Sequence, residues 1–226
     1  MKSKELMNLI KNKEGNAPFD ANALYREVED KMSELAYYKA LNRFAQADEL
    51  LRVGKGIYCI PSSTEGPSNE EIMEPYLKNR KGMKVGYALY NELGLVKEEP
   101  TSYSIYTNAL PGYRKTIKGV SIRRVELTFD EKTKQHVALL EVLADFESIE
   151  DLDLDAFVAY CESVSKNYDE ACAAKVIKNV SYKKSTIAFL KDILDHFGVS
   201  NGLKSYLSPL SEYRFPRMAE LCKASA

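Results

Sequence analysis

The 226-residue chain has no tryptophan, two histidines (His136 and His196) and four cysteines (Cys59, Cys161, Cys172 and Cys222) with no C-x-x-C pair among them. That supply cannot assemble a zinc spacing, and four separate thiols read as small buried residues in a reducing compartment. No apolar run approaches the roughly 18 residues that a membrane span needs. Met1–Lys13 alternates charged and apolar residues and lacks the apolar core of a signal peptide, so a soluble, cytoplasmic protein with no membrane partner is expected. Net charge is nearly absent too, with 32 Lys and Arg against 33 Asp and Glu, while 45% of the residues are apolar; a wholly disordered chain is thereby excluded. A chain this long has enough surface to bury for one large domain or two modest ones.

Catalytic motifs are equally scarce. Gly54-Lys55-Gly56 is too short for a phosphate cradle, and only His136 and His196 are available as the base of a nucleophilic triad. Both histidines fall inside helical patterns with no motif serine or cysteine nearby. Asp151-x-Asp153-x-Asp155 with Glu162 at the twelfth position mimics a calcium loop, but Ala156 stands where the sharp turn demands glycine. Those acids read instead as the capped start of a helix, where they favour its dipole. No catalytic residue, metal or cofactor is expected, and the chain is read as a protein other than an enzyme.

The near-zero net charge hides an asymmetry. Residues 1–62 carry 10 basic and 9 acidic groups, 63–125 carry 10 and 7, 126–155 carry 2 and 10, and 156–226 carry 10 and 7. One acidic block cancels an otherwise mildly basic protein. It reads either as solvated surface or as a face for a basic partner.

The first sixty residues carry the clearest pattern. Ser3–Lys13 places Leu6, Leu9 and Ile10 at helical spacing, with Gly15 as a stop. Asp20 is an N-cap candidate with Phe19 and Leu24 at hydrophobic-staple positions, which predicts a second helix to about Glu29. Asp30-Lys31 makes a short polar turn. Ser33 is the next cap candidate, and a third helix follows through Ala47 or Glu49. Two strands tied by Gly54-Lys55-Gly56 come next and end at Pro61. Three helices and a terminal hairpin describe a winged helix-turn-helix whose third helix enters the major groove.

On that helix Tyr37, Leu41, Phe44 and Ala45 share one side, and Lys39, Asn42, Arg43 and Gln46 share the other. Arg suits guanine, and Asn or Gln suits adenine. Arg52 and Lys55 on the hairpin suit backbone phosphates, and the hydroxyl of Tyr38 is placed to meet one. The expected partner is double-stranded operator DNA, bound by a monomer or a homodimer.

Ser62-Ser63-Thr64-Glu65-Gly66-Pro67-Ser68 has the composition of a linker, which predicts domains at 1–62 and 69–226. Beyond it, helices are expected over 69–79, 85–93 (closed by Gly94), 136–146, 155–167, 170–179, 184–197 and 199–207. Strands are expected over 102–108 and 120–129, with Pro111-Gly112 as the turn between them. Arg114, Lys115, Lys118, Arg123 and Arg124 lie on or beside this ribbon, as an extension of the DNA surface or a face for an acidic partner. The fold class expected is α+β: a winged helix-turn-helix, then a mixed domain with a small sheet and a helical C-terminal half.

Short motifs add a family resemblance. Ala40-Leu41-Asn42-Arg43-Phe44, Leu50-Leu51-Arg52-Val53 and Gly56-Ile57-Tyr58 together resemble the N-terminal pattern of AbiEi-type antitoxins, with Phe44 where leucine is usual. Gly86-Tyr87-Ala88-Leu89-Tyr90-Asn91-Glu92-Leu93-Gly94-Leu95 is similar to that family's segment ending in Leu-Gly-Leu. Ser104-Ile105-Tyr106-Thr107 and Tyr113-Arg114-Lys115 resemble the strand and basic hairpin that follow. The resemblance covers about residues 5–125. It implies the antitoxin of a type IV, abortive-infection pair, which represses its own operon and counteracts a nucleotidyltransferase-like toxin, direct contact with the toxin being left open. The residues alone equally describe a winged-helix regulator whose C-terminal domain serves sensing or oligomerisation, with no toxin partner.

Overall fold

The computed structural model describes residues 1–61, 67–110 and 112–225, and its architecture is mixed α+β. In chain order the elements are α1 (Ser3–Glu14), β1 (Phe19–Asp20), α2 (Ala21–Arg26), α3 (Glu34–Gln46), β2 (Leu51–Gly54), β3 (Ile57–Cys59) and α4 (Asn69–Leu77). Then come β4 (Gly82–Val85), α5 (Tyr87–Glu92), β5 (Tyr103–Thr107), β6 (Arg114–Ile117) and β7 (Val120–Arg124). The remainder is helical: α6 (Glu131–Asp145), α7 (Leu154–Lys166), α8 (Glu170–Val180), α9 (Lys184–His196) and α10 (Met218–Ala224). Contacts divide the chain into two compact units, Met1–Asn79 with Ala109–Arg124, and Arg80–Asn108 with Val125–Ala226.

This division differs from the expected one at 62 and 69. The first unit takes in α4 and the β6–β7 ribbon, a return of the chain that local composition cannot reveal. Of the expected linker, Ser62–Gly66 lie outside the described residues, as does Pro111 of the expected turn. Ser68 is no linker residue: its hydroxyl accepts from Glu71 N at 3.2 Å, while its own N–H donates to Glu71 Oε2 at 2.8 Å, a capping box that opens α4.

In the first unit α1 buries Leu6, Met7 and Ile10, and Gly15 leaves the helix at φ +55. Asp20 caps α2, its carboxylate accepting from Asn22 N at 2.9 Å and Ala23 N at 3.1 Å. The helix stops at Arg26, short of the expected Glu29, because the next N–H groups (Glu27, Val28) reach back only three residues, to Leu24 O and Tyr25 O. α3 buries Tyr37, Ala40, Leu41 and Phe44, the i, i+3, i+4, i+7 stripe that makes one face of a helix. The fully buried Tyr37 gives its hydroxyl proton to Ala21 O at 2.9 Å, which joins α3 to the start of α2. Ser33 stands at the N-cap position as expected, but its side chain makes no capping bond.

The β2–β3 hairpin forms where expected, pairing Leu51 with Cys59 and Arg52 with Tyr58, with an irregularity before Gly54 pairs with Ile57. β1 is unexpected. Phe19 and Asp20 pair with Tyr58 and Ile57, adding a third strand that a two-residue pattern cannot announce. β6 and β7 pair antiparallel, Arg114 with Arg123 through Ile117 with Val120, and turn at Lys118-Gly119, so an unexpected strand, β6, lies in the chain between the two expected ones.

In the second unit β4 pairs with β5, Gly82 opposite Thr107 and Val85 opposite Ser104. Residues 82–85 are therefore strand, and the expected helix begins only at Tyr87. The strand expected over 120–129 stops at Arg124. Most of the core is helical, with Val137, Leu140, Phe157, Val176, Phe189 and Ile193 among its buried side chains. Asp130, Asp153 and Asp169 cap α6, α7 and α8 through Thr133 N, Ala156 N and Cys172 N. The helix expected over 199–207 is a single 3-10 turn, Leu203–Tyr206. Gly198 leaves α9 at φ +70, and Glu170 Oε1 takes the Gly202 N–H at 2.9 Å immediately before that turn. α10 was not anticipated. Asp192 Oδ2 accepts Met218 N at 2.8 Å and anchors its first turn.

Candidate nucleic-acid interface

The interface candidate is built on α3. With Tyr37, Ala40, Leu41 and Phe44 fixed inward by packing, about 100° per residue forces Leu35, Lys39, Asn42 and Gln46 into one outward seam. All four are exposed, as is Arg43 beside them. Lys39, Asn42 and Gln46 make no side-chain hydrogen bond or ion pair within the described residues, so their donors and acceptors face solvent. Leu35, 68% exposed in the first turn of the seam, belongs to it as well, though an apolar residue carries no base-reading signal in the sequence.

Two of the expected contact residues already have partners. Arg43 Nη2 donates to Ser3 Oγ at 3.1 Å, a neutral partner that leaves the guanidinium charge uncompensated and its remaining donors available. Tyr38 gives its hydroxyl proton to Asn22 Oδ1, so the side chain ties α3 to α2. Only its lone pairs remain, and a phosphate, itself an acceptor, has no use for them. Tyr37, Tyr38 and Tyr25 pack as a tilted and edge-on aromatic trio with centroids 5.1–6.3 Å apart, which stiffens this junction.

On the hairpin Arg52 and Lys55 are exposed and unpaired within the described residues. Lys55 lies in the turn, and Gly56 beside it takes φ +70, a conformation that a side chain would strain. The five ribbon cations are less alike than their sequence suggests. Arg114 is exposed and unpaired, and Lys118 is exposed. Lys115 is four-fifths buried against Asp20 as an ion pair. Arg124 donates from Nη1 to Leu110 O at 2.8 Å, and Arg123 is half-buried.

Burial of Asp20 opposes its ionisation. The hydrogen bond from Lys115, the N–H groups of Ala23 and Asn22 and the Lys115 charge together outweigh it and hold the carboxyl below its ordinary 3.8.

Residues with possible chemistry elsewhere have structural duties. His136 Nδ1 lies 2.8 Å from Lys132 O, and Nε2 accepts Asp169 N at 3.1 Å. A carbonyl only accepts and an amide only donates, so Nδ1 carries the proton and neither nitrogen is free to act as a base. Cys222 Sγ stands 3.5 Å from His196 Nε2, a pair brought together across 26 residues. No carboxylate among the described residues hydrogen-bonds that imidazole, so the pair lacks the third group of a relay. Asp153 of the calcium-like run caps α7, and Asp151 accepts from Tyr87 Oη at 2.8 Å and from Lys97 N and Glu98 N at 3.2 Å. Among the described residues no group of three His, Cys, Asp or Glu is placed to hold a metal ion, and no helix is long and apolar enough to cross a membrane.

No protein-family model matches the chain, and no curated protein does. A solved structure similar to it is the crystal structure of the RV2827C protein from Mycobacterium tuberculosis, at 11% identity and a TM-score of 0.45, over 87% of this chain and 77% of that one. A likeness that distant says nothing of function.

Proposed function

We propose that the chain is a DNA-binding antitoxin of the abortive-infection, type IV kind. In this reading α1–α3 and the β2–β3 hairpin work as a winged helix-turn-helix. The outward seam of α3 lies in the major groove of an operator upstream of its own operon, and the hairpin rests on the backbone. The observation that supports it best is that seam: Lys39, Asn42 and Gln46 in register, Arg43 beside them, and unpaired Arg52 and Lys55 on the adjoining hairpin. Apart from the Arg43 bond to Ser3, those side chains make no hydrogen bond or ion pair among the described residues, and they are the types that read base edges and hold phosphates. Release of counterions by these cations supplies much of the affinity. The toxin-counteracting role, toward a nucleotidyltransferase-like enzyme, rests on the resemblance of the 40–58, 86–95 and 104–115 motifs to the antitoxin family.

Two measurements on the full chain test the reading. Binding to the DNA upstream of its reading frame should be salt-dependent and stronger than to scrambled duplex. Co-expression should relieve growth arrest caused by the neighbouring gene's product. Operator binding without protection leaves the winged-helix regulator, and absence of both removes the proposal.

A further inference from the structure

The ribbon returns to the first unit at a particular place. A Cβ at Gly54, the last residue of β2, would lie 3.4 Å from Thr116 O of β6, so the ribbon backbone abuts the hairpin beside its turn. Lys115, next along β6, is paired with Asp20 at the start of α2. Between α2 and the ribbon runs an open groove of about 270 Å³, lined by Asp20, Asn22 and Arg26 on one side and Gly112, Arg114 and Lys115 on the other. Asn22 also accepts the Tyr38 hydroxyl of α3, so the groove lies beside the junction of α2 with that helix.

The charge of the groove is set by what is left after pairing. Asp20 and Lys115 neutralise each other, and their side chains are about 20% exposed. Arg26 and Arg114 are exposed and have no ion-pair partner among the described residues, so the groove presents two positive guanidinium groups over a neutralised floor. The α2 terminus contributes nothing, since the helix has six residues and Asp20 already takes its first N–H groups. Guanidinium groups offer forked donors that match phosphate oxygens and hold their charge at any relevant pH.

We propose that this groove seats neighbouring backbone phosphates of the duplex read by α3, one held by Arg26 and one by Arg114, with the β6–β7 ribbon acting as a second wing. The inference rests on the DNA-binding reading above and adds to it a site formed by segments about 90 residues apart, Arg26 in α2 and Arg114 in β6.

The test uses the full chain and two duplexes of about 20 base pairs, one enriched from a random pool by the wild-type protein and one scrambled, with anisotropy titrations between about 50 and about 200 mM salt. Arg26→Ala and Arg114→Ala should each lower the slope of log affinity against log salt by about 0.9, and the double variant by about 1.8, equally on both duplexes. Over that fourfold salt range the double variant then loses roughly tenfold less affinity than the wild type. Arg26→Lys with Arg114→Lys keeps the charge and should keep most of the slope. If the lysine pair behaves like the alanine pair, the effect is structural and the proposal fails. A double alanine variant with wild-type slope, or a loss confined to the enriched duplex, overturns the groove and leaves the α3 reading standing. A wild-type chain that binds neither duplex removes both.

Discussion

The two compact units carry similar numbers of charges and use them differently. The first has 16 basic and 13 acidic residues and the second 16 and 20. In the second, acids are built into the fold: Asp130, Asp153 and Asp169 cap helices, and Asp192 holds Arg217 and the first turn of α10. The buried Glu141 accepts from the hydroxyls of Tyr106 and Tyr182, and Asp145 accepts from Tyr90. Four of the ten acids of the 126–155 block are thereby neither loose surface nor a vacant face. In the first unit Arg26, Lys39, Arg52, Lys55 and Arg114 have no ion-pair partner among the described residues. Net charge is a poor guide to which region meets a polyanion; the pairing state of each charge is a better one.

If that contrast is right, substitutions in the two units should separate stability from binding. The largest effect is expected for Phe157→Ala. This fully buried ring packs against Phe146 and Phe189 with centroids 5.0 and 6.4 Å away, and its truncation should cost about 3–5 kcal/mol in urea unfolding. DNA affinity measured well below the melting temperature should not change. A parallel loss of affinity would break the comparison.

Arg43→Ala should do the reverse. It should cost about 1–3 kcal/mol on the operator and relax base preference there, with a urea midpoint close to wild type, since among the described residues the Arg43 side chain bonds only the Ser3 hydroxyl. Asp153→Ala sharpens the other side: loss of the α7 cap should lower stability by about 1 kcal/mol and leave binding alone.

The smallest effect is a pH dependence. The Asp20 carboxyl is held below its ordinary 3.8, so its contribution is complete above that value and fades as pH falls through the lower folded one. Stability measured at pH 7 and again at pH 3 should therefore differ less in Asp20→Asn than in the wild type. A remaining acid dependence is expected from Asp130, Asp151 and Asp169, whose carboxyls are likewise lowered. An unchanged difference in Asp20→Asn would show that the Lys115 pair does not stabilise the first unit.

By itself the sequence determined the local elements whose signals lie within a few residues. The α3 stripe of Tyr37, Leu41 and Phe44, the Asp20 cap, a capped helix start within Asp151–Asp155 and the Gly54-Lys55-Gly56 turn were all legible, because periodicity, capping and turn chemistry act over one or two turns of chain. An outward face for Lys39, Asn42 and Gln46 followed from the same periodicity. Only tertiary structure decided the rest. β1 exists because Tyr58 lies opposite Phe19, and the ribbon joins the first unit because Lys115 reaches Asp20 across 95 residues. The partners of Arg43 and Tyr38, and the duties of the acidic block, were settled in the same way. Composition reports how many charges a segment holds, but which of them remain available depends on groups that folding brings from elsewhere in the chain.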